Sequence, residues 1–324
     1  MESLIHKQIF DEIQKAEHLL FIADERTDGD SLGSSLGMAD YVLSLGKQVT
    51  VFVSEAIPQK YHVLPHIRLC TWNIDEIKNL PVDLVVTFDC SDELYVAHLT
   101  AQLSRPVKVI NIDHHATNTH FGDINQVIVE SPATTDIVHH FFKTNHLQPT
   151  RAAATALLCG IAFDTTVFTN EATNHRAFDT ASELVLCGAR VQDVITMMFS
   201  GRSVDALRLW GLALERLRAH PEFGFLTTFL RTEDIVRSGV SEEDVQGLSD
   251  FLNIVTEAKT LFVLREKPGG GIKLSMRSRT CDVGKLSRLF GGGGHRAAAG
   301  FFLPGMQFVH TRKNGWTVEE VDLV

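Results

Sequence analysis

The chain contains 324 residues, of which 44% are apolar and 22% charged, and its formal net charge is −10. This composition is typical of a folded protein long enough for two domains, and it excludes the disordered, collagen-like and coiled-coil classes. The acidic balance argues against a protein that binds long duplex DNA, because such proteins usually present a strongly basic face.

Hydropathy and cysteine content indicate the cellular compartment in which the protein is expected. No apolar run approaches the 18 residues of a membrane-spanning helix, so no membrane partner is expected. The five cysteines are an odd number and include no C-x-x-C pair, which favours reduced thiols over disulfides or a zinc site. We therefore expect a cytoplasmic protein.

Strand and helix patterns alternate in the first two-thirds of the chain. Apolar, β-branched runs predict strands, and apolar residues at helical spacing predict helices. The predicted strands are 19–23, 49–53, 83–88 and 107–112, and the predicted helices are 31–45, 135–143, 152–162 and 175–186. This βαβ order predicts an α/β fold with a doubly wound, mostly parallel sheet that binds ligands at the carboxyl ends of its strands.

The alternation breaks near residue 200. A helix is predicted from residue 204 to about 219, followed by a mixture of shorter elements. The later predicted strands are 224–230, 260–265 and 272–276, and the later predicted helices lie near 242–256 and 283–290. We predict a first domain over residues 1–200, a linker helix over 201–220 and a second, smaller α/β domain over 221–324.

Charge is unevenly divided along the chain. Residues 259–313 contain eleven basic and two acidic residues, so this segment carries +9 and the remainder −19. An acidic region attracts metal cations and a basic region attracts phosphates.

Acidic residues follow four of the predicted core elements. They are Asp24, Asp28 and Asp30 after the first strand, Asp89 after the third, Asp113-His114-His115 after the fourth, and Asp164 after the helix that ends near Ala162. Alone, Asp28-Gly29-Asp30 is typical of a turn, and Asp113-His114-His115 of a capped helix start. Together at strand ends, carboxylates and imidazoles indicate a site for Mn²⁺ or Mg²⁺. A bridging carboxylate would hold two ions about 3.5–4 Å apart, as in two-metal phosphoester hydrolysis.

These residues, in this order, resemble motifs I to IV of the DHH phosphoesterase superfamily. The segment 291–295 with Ala298-Ala299-Gly300 resembles the signature of the accessory domain called DHHA1. The resemblance extends from about Leu19 to Leu303. The chain is most similar to the short two-domain members of the superfamily, which are called the nanoRNase type. These members degrade tiny oligoribonucleotides, 3′-phosphoadenosine 5′-phosphate or cyclic dinucleotides.

The resemblance implies a site for two Mn²⁺ ions, with Mg²⁺ or Co²⁺ as alternatives. Asp28 would bind the first ion, Asp30 the second, and Asp89 would bridge both. His114 and Asp164 would complete the second site. Water between the ions would attack phosphorus, with two cations making it more acidic.

His115 and Asp24 need separate comment. By the resemblance, His115 would lie beside the scissile phosphate and orient it or pass a proton to the leaving oxygen. Asp24 stands where the family's first motif normally has a histidine. Three interpretations follow: a first site that favours a harder ion, a weakened first site, or lost catalysis. We prefer the first interpretation, because aspartate keeps ligand chemistry.

The basic segment is predicted to hold substrate phosphate. Arg277 can grip a phosphate with two N–H groups, and Ser278 follows it. Gly292, Gly293 and Gly294 would let backbone N–H groups approach a phosphate, although a flexible loop is the alternative. His295 stands where the family contacts substrate.

The leading hypothesis is a metal-dependent phosphodiesterase or phosphatase that acts on very short oligonucleotides and on 3′-phosphoadenosine 5′-phosphate. The alternatives are a cyclic- or linear-dinucleotide phosphodiesterase and a nucleotide-binding sensor with weakened catalysis. No long duplex is expected as a partner, and a homodimer is the default assembly. Asn170 and Arg176 are assigned equally to the cleft or the surface, and His139-His140 to a solvated helix face.

Overall fold

The computed structural model describes residues 2–199, 203–240, 245, 247–294, 296–311 and 315–320. It divides into two compact units, Met1–Gly201 and Arg202–Val324. Among the described helices, none is long and apolar enough to cross a membrane. All five cysteines are free thiols.

The first unit is built on a six-stranded sheet whose strands are all parallel. Its strands are β1 (His18–Ala23), β2 (Gln48–Phe52), β3 (Cys70–Thr71), β4 (Leu84–Phe88), β5 (Lys108–Asp113) and β6 (Ile124–Val127). Its helices are α1 (Glu2–Lys15), α2 (Gly29–Ser44), α3 (Ile74–Lys78), α4 (Glu93–Thr100), α5 (Thr134–Thr144), α6 (Arg151–Asp164), α7 (His175–Leu186) and α8 (Val191–Phe199). The strand order is β3-β2-β1-β4-β5-β6. The chain therefore reverses its winding direction between β1 and β4, where doubly wound folds bind ligands.

Alternate side chains of β1 enter two different cores, which explains why this strand is a continuous apolar run. Leu19 and Phe21 pack in the main core of the unit. Leu20 and Ile22 pack in a second cluster with Val85 of β4. A strand covered on both faces has no solvent side, so its sequence does not alternate. The predicted doubly wound α/β sheet is confirmed.

A close contact between α2 and α6 brings the start of one helix to the end of the other. A β-carbon at Gly33 would lie 2.5 Å from the carbonyl oxygen of Ala156, and one at Gly29 would lie 2.7 Å from the Phe163 side chain. Glycine at these positions lets the helices pack backbone against backbone. Side chains just after the start of α2 can therefore reach those at the end of α6.

The second unit has its own apolar cores and a mixed sheet. Its strands are β7 (Arg218–His220), β8 (Phe225–Leu230), β9 (Thr260–Glu266), β10 (Ile272–Ser278), β11 (Gly293–Gly294), β12 (Ala298–Leu303), β13 (Met306–Thr311) and β14 (Gly315–Glu320). Its helices are α9 (Val204–Glu215), α10 (Thr232–Ser238), α11 (Leu248–Val255) and α12 (Val283–Leu289). The six-stranded sheet has the order β11-β12-β10-β9-β8-β7, and β13 and β14 form a separate antiparallel pair.

Two predicted features of this region differ from the structure. The helix predicted to about residue 219 ends at Glu215, because Arg218–His220 pairs as a strand with β8. Helix α9, which was predicted to be a linker, packs through Leu209 and Trp210 into an apolar core of the second unit. It therefore belongs to that unit. The helix predicted near 242–256 is described as α11, while residues 241–244 and 246 lie outside the described part of the chain.

Candidate metal centre

The carboxyl ends of three neighbouring strands bring acidic side chains to one edge of the sheet. Asp24 and Asp89 follow β1 and β4, and Asp113 is the last residue of β5. Asp89 has a backbone φ of 62°, in the left-handed region, while its N–H donates to the Ile112 carbonyl at 2.9 Å. Aspartate is among the few residues that adopt this conformation routinely. Asp89 follows β4, beside the point between β1 and β4 where the strand order reverses.

Asp28 and Asp30 stand at the start of α2. Asp28 is the N-cap, and its Oδ1 accepts from the N–H groups of Asp30 and Ser31 at 2.9 and 3.0 Å. This is the ordinary role of aspartate at a helix start. Asp30 lies in the first turn of α2 and is fully buried. The Asp-Gly-Asp segment therefore serves both as a cap and as a source of buried carboxylate.

The first turn of α5 holds two of these carboxylates. The N–H groups of Thr134 and Thr135 donate to the two oxygens of Asp30 at 2.6 and 3.0 Å, and Thr135 Oγ1 donates at 2.8 Å. Thr134 Oγ1 donates to Asp89 Oδ1 at 3.0 Å. No side chain of Ala133, the N-cap, supplies such a bond. Asp30 therefore caps α5 from across the fold, where the helix dipole favours negative charge.

The histidines after β5 are oriented by their neighbours. His114 Nδ1 lies 3.2 Å from the carbonyl oxygen of Ser131, and its Nε2 lies 3.1 Å from Asp164 Oδ2 and 3.5 Å from Asp89 Oδ1. His115 Nδ1 lies 2.8 Å from Asp113 Oδ1. Since a carbonyl oxygen only accepts, Nδ1 of His114 carries a hydrogen, and Nε2 faces the carboxylates.

Asp164 ends α6 and is followed by an unusual turn. Thr166, Val167 and Phe168 have φ values of 49°, 54° and 62°. Left-handed backbone costs about 1–2 kcal/mol per non-glycine residue, and such strain clusters at functional sites. Asn170 Nδ2 donates to the Asp164 carbonyl at 2.6 Å, which ties the turn to the end of the helix. Asn170 thus supports the position of Asp164, which is a predicted ligand.

Two overlapping groups of side chains could hold metal ions. Each offers one ligand atom, and within a group these atoms lie within 4.8 Å of one another; the groups are Asp89, His114 and His115, and Asp30, His114 and Asp164. Carboxylate oxygens and imidazole nitrogens suit Mn²⁺ or Mg²⁺. The donor chemistry therefore fits a divalent cation.

The electrostatics of the cluster also favour a cation. Burial and the charges of Asp164 and Asp30 raise the pKa of Asp28 to about 7. Burial and Asp164 raise the pKa of Asp30 to about 6. Burial, with the charges of Asp30 and Asp28, raises the pKa of Asp89 well above its usual value. Carboxylates that repel one another in this way ionise readily beside a divalent cation.

Burial and neighbouring carboxylates act in opposite directions on the pKa values of His114 and His115. Burial lowers the pKa of His114, but the hydrogen bond and charge of Asp164 outweigh it and raise the pKa to about 10. Burial likewise opposes charge on His115, and the Asp113 carboxylate raises its pKa above the usual value. Asp113 itself is buried, yet hydrogen bonds from His115 and Asn118 keep its pKa low. Asp113 is therefore an ionised carboxylate that holds His115 in place.

Comparison with known proteins identifies the family. The family model described as "DHH family, N-terminal domain" matches residues 18–161. The bifunctional oligoribonuclease and PAP phosphatase NrnA of Thermus thermophilus is 31% identical, with coverage of 86% of this chain and 82% of that protein. The chain belongs to the DHH family. The resemblance stated from the motifs is confirmed.

Other known proteins match the chain to a similar extent. The protein of the same name from Bacillus subtilis is 20% identical over 85% of this chain and 86% of its own length. The crystal structure of an exopolyphosphatase-related protein from Bacteroides fragilis superposes with a TM-score of 0.83, at 22% identity, over 92% of this chain and 90% of that one. The match in fold to that structure therefore includes residues of both units.

Asp24 is not a member of either group of candidate ligands. Its Oδ2 accepts from the N–H of Arg26 at 3.1 Å, and its carbonyl accepts from Thr27 Oγ1 at 3.0 Å. Among the described residues, neither group of metal-ligating atoms includes Asp24 or Asp28. Asp28 is nonetheless close enough to Asp30 and Asp164 for their charges to raise its pKa. The roles of Asp24 and Asp28 at a first ion stay predictions.

The predicted substrate residues of the second unit have internal partners. Arg277 makes a two-pronged ion pair with Asp250, with Nε–Oδ1 at 2.6 Å and Nη2–Oδ2 at 3.2 Å. Ser278 is buried, and its Oγ accepts from the N–H groups of Thr280 and Cys281 at 3.2 and 2.9 Å. Contact of Arg277 and Ser278 with substrate stays a prediction, and the visible role of Ser278 is to support a turn.

The glycines of the second unit lie at a strand edge. A β-carbon at Gly292 would lie 2.3 Å from the Gly300 carbonyl oxygen, and one at Gly294 would lie 2.5 Å from that of Ala298. Gly293, by contrast, has open space around it. Two of the three glycines are therefore required by the close approach of β11 to β12, and the exposed Gly293 is the one with room for a ligand. His295 lies outside the described residues.

One sequence assignment is wrong, and several supporting residues were missed. His139 is buried rather than solvated, and its Nε2 lies 3.4 Å from Glu183 Oε2. His140 is half-buried, with Nδ1 2.9 Å from the Asp136 carbonyl oxygen. Helix α5 packs against α1, α6 and α7, which covers the side that looked polar. The supporting residues without a sequence signal are Asn118, Ser131, Thr134, Thr135 and Asp136.

Proposed function

We propose that this chain is a metal-dependent hydrolase that cleaves very short oligonucleotides to mononucleotides and removes the 3′ phosphate of 3′-phosphoadenosine 5′-phosphate. One observation carries the proposal: five ligand-type side chains converge at the switch point of the sheet, in a chain related over most of its length to NrnA. These side chains are Asp30, Asp89, His114, His115 and Asp164. This combination of cation ligands and a nearby imidazole suits metal-assisted hydrolysis of a phosphoester.

We propose Mn²⁺ as the ion, two per chain. Asp30, His114 and Asp164 would hold one, and Asp28 with Asp89 and Asp24 would complete the set. Bound cations would neutralise substrate phosphate and make water more acidic, so that it attacks at neutral pH. His114 is common to the two ligand groups, and Asp89 Oδ1 lies 3.5 Å from its Nε2 and 3.6 Å from His115 Nδ1. We propose that Asp89 would be the carboxylate shared by the two ions.

The protein's own residues prepare the site for this chemistry. The Ser131 carbonyl keeps the hydrogen of His114 on Nδ1 and leaves Nε2 toward the carboxylates. Asp113 holds His115 at Nδ1 and favours its protonated form, so His115 can stabilise phosphate charge or donate a proton to the leaving oxygen. Asn118 Nδ2 donates to Asp113 Oδ2 at 2.6 Å and fixes that carboxylate.

The second unit is proposed to be a DHHA1 domain that binds substrate phosphate. Residues 259–313 carry a net charge of +9, and Gly293 lies in the edge strand β11 with open space around it. Such a surface attracts anions and favours small, highly charged substrates. A homodimer and a cytoplasmic location belong to this proposal as predictions from the sequence.

A substrate panel tests the proposal. The purified chain is incubated with Mn²⁺, Mg²⁺ or Co²⁺ and with 5′-phosphorylated di- and trinucleotides, 3′-phosphoadenosine 5′-phosphate, a cyclic dinucleotide and pyrophosphate. We expect release of mononucleotides from the linear substrates and of phosphate from the phosphoadenosine compound. Preference for the cyclic dinucleotide would support the alternative phosphodiesterase. Binding without turnover of any member would instead indicate a nucleotide sensor.

A further inference from the structure

We propose that Asp136 is a positioning residue for the metal centre, acting through Ser131 on His114, and that α7 holds Asp136 for this purpose. The inference rests on the proposed metal-dependent function. Asp136 is fully buried in the first turn of α5, although it is outside both groups of candidate ligands. A buried carboxylate is costly unless charged and polar partners surround it.

The partners of Asp136 come from two sides. Ser131 Oγ lies 2.7 Å from Asp136 Oδ2 and 2.8 Å from the Ala133 carbonyl oxygen. The hydroxyl has a single hydrogen, and a charged acceptor makes the stronger hydrogen bond. From α7, Arg176 Nε donates to Asp136 Oδ2 at 2.9 Å and Thr180 Oγ1 donates to Asp136 Oδ1 at 2.7 Å.

These contacts connect the segment before α5 to α7. Asn174, the N-cap of α7, also donates from Nδ2 to the carbonyl of Glu130 at 3.1 Å. Asn174 therefore fixes the backbone just before Ser131, and Asp136 fixes the Ser131 side chain. That carbonyl is the acceptor for His114 Nδ1 at 3.2 Å. Any shift of Ser131 would turn the His114 ring and move Nε2 relative to Asp164.

Helix α5 adds a second route from Asp136 to the site. Its first turn contains Asp136 and the two threonines that hold Asp30 and Asp89. The contacts of Asp136 with α7 therefore also fix the position of this turn relative to Asp30 and Asp89. Groups behind metal ligands act in this way, and their removal usually weakens metal binding 10–100-fold.

The test is Mn²⁺ affinity, measured by calorimetry without substrate, in wild type and Asp136→Asn. We expect the dissociation constant for Mn²⁺ to rise at least about tenfold. We expect kcat to fall while KM for a 5′-phosphorylated dinucleotide changes less than about twofold, because the fully buried Asp136 cannot itself contact the nucleotide. If wild type binds no Mn²⁺, the proposed function itself fails. If wild type and Asp136→Asn bind Mn²⁺ equally well, only the positioning role fails.

A matched control comes from the second unit. Asp234 is also a buried aspartate in the first turn of a helix, and it is held by Arg216 and Arg231. Asp234→Asn should lower stability in the same way and leave Mn²⁺ affinity unchanged. An equal loss of Mn²⁺ affinity in Asp234→Asn would show that general destabilisation explains the effect, which would overturn the proposal.

A milder variant covers the case in which Asp136→Asn does not fold. Thr180→Val removes one hydrogen bond to Asp136 Oδ1 and keeps both the shape of the side chain and the buried ion pair with Arg176. We expect a folded protein whose dissociation constant for Mn²⁺ rises about two- to fivefold, a fraction of the full effect. Wild-type Mn²⁺ affinity in folded Thr180→Val would overturn the positioning role.

Discussion

Gly160 of α6 lies directly against the residues that hold Asp30. A methyl group added there would lie 2.3 Å from Thr135 Cγ2, 2.5 Å from Asp30 Oδ1 and 2.6 Å from Thr135 Oγ1. Thr135 and Asp30 are fully buried and hydrogen-bonded to each other at 2.8 Å, so neither can swing aside into solvent. Gly160→Ala must therefore displace Asp30 or push α6 away from α5.

The expected cost combines two opposing contributions. Alanine in a helix interior is about 1 kcal/mol more favourable than glycine. Overpacking of a filled core costs about 1–3 kcal/mol, and three atoms this close favour the upper end of that range. Gly211 of α9 is also in a helix, but a β-carbon there would meet nothing within 4 Å. The helix-propensity gain is shared, so the two variants should differ by the overpacking cost alone, about 1–3 kcal/mol.

Urea denaturation followed by circular dichroism measures this difference, and calorimetry measures Mn²⁺ binding. We expect Gly160→Ala to be less stable than Gly211→Ala by that amount and to bind Mn²⁺ about tenfold more weakly than wild type, because Asp30 is displaced. Gly211→Ala should bind Mn²⁺ as wild type does. Wild-type Mn²⁺ affinity in Gly160→Ala would refute the packing argument for Asp30.

Two further predictions concern single residues. Asp24→His restores the residue type usual in the DHH family, so metal preference should change while activity is kept; unchanged metal dependence and rate would mean that Asp24 is not a ligand. Burial lowers the pKa of His139 to about 4, so the unfolded chain, with a pKa near 6.5, takes up its proton first as pH falls. Stability present above pH 6.5 is then lost toward pH 4, by about 2 kcal/mol at pH 5. In His139→Gln, the loss of unfolding free energy between pH 7 and 5 should be smaller by that amount, and an equal loss in both proteins would contradict the assignment.

The sequence predicted the central features of the fold because they are local. Buried parallel strands are continuous apolar runs, and the acidic residues that follow β1 and β4 stand next to them in the chain. Helix α1 was missed although Ile5, Ile9 and Ile13 recur at four-residue spacing, and the last two are fully buried. Strand β6, with the sequence Ile-Asn-Gln-Val, has no apolar run that would identify it.

The supporting part of the site could not be predicted, because it depends on contacts between distant residues. Thr134 meets Asp30 across 104 positions and Asp89 across 45. Ser131 acts through its backbone carbonyl, which has no residue-type signature. His139 looked solvated because its neighbours in α5 are polar, and only the packing of α1 and α7 shows that it is buried.

Asp89 is proposed to be the carboxylate that would be shared by two metal ions, and phosphoester hydrolysis is proposed to depend on those ions. The most direct test measures mononucleotide release from a 5′-phosphorylated dinucleotide by chelated and Mn²⁺-reloaded protein, in wild type and Asp89→Asn. We expect Mn²⁺ to restore turnover in wild type and Asp89→Asn to be slower by at least about 100-fold. Turnover that persists after chelation, or a substantial rate in folded Asp89→Asn, would contradict this proposal.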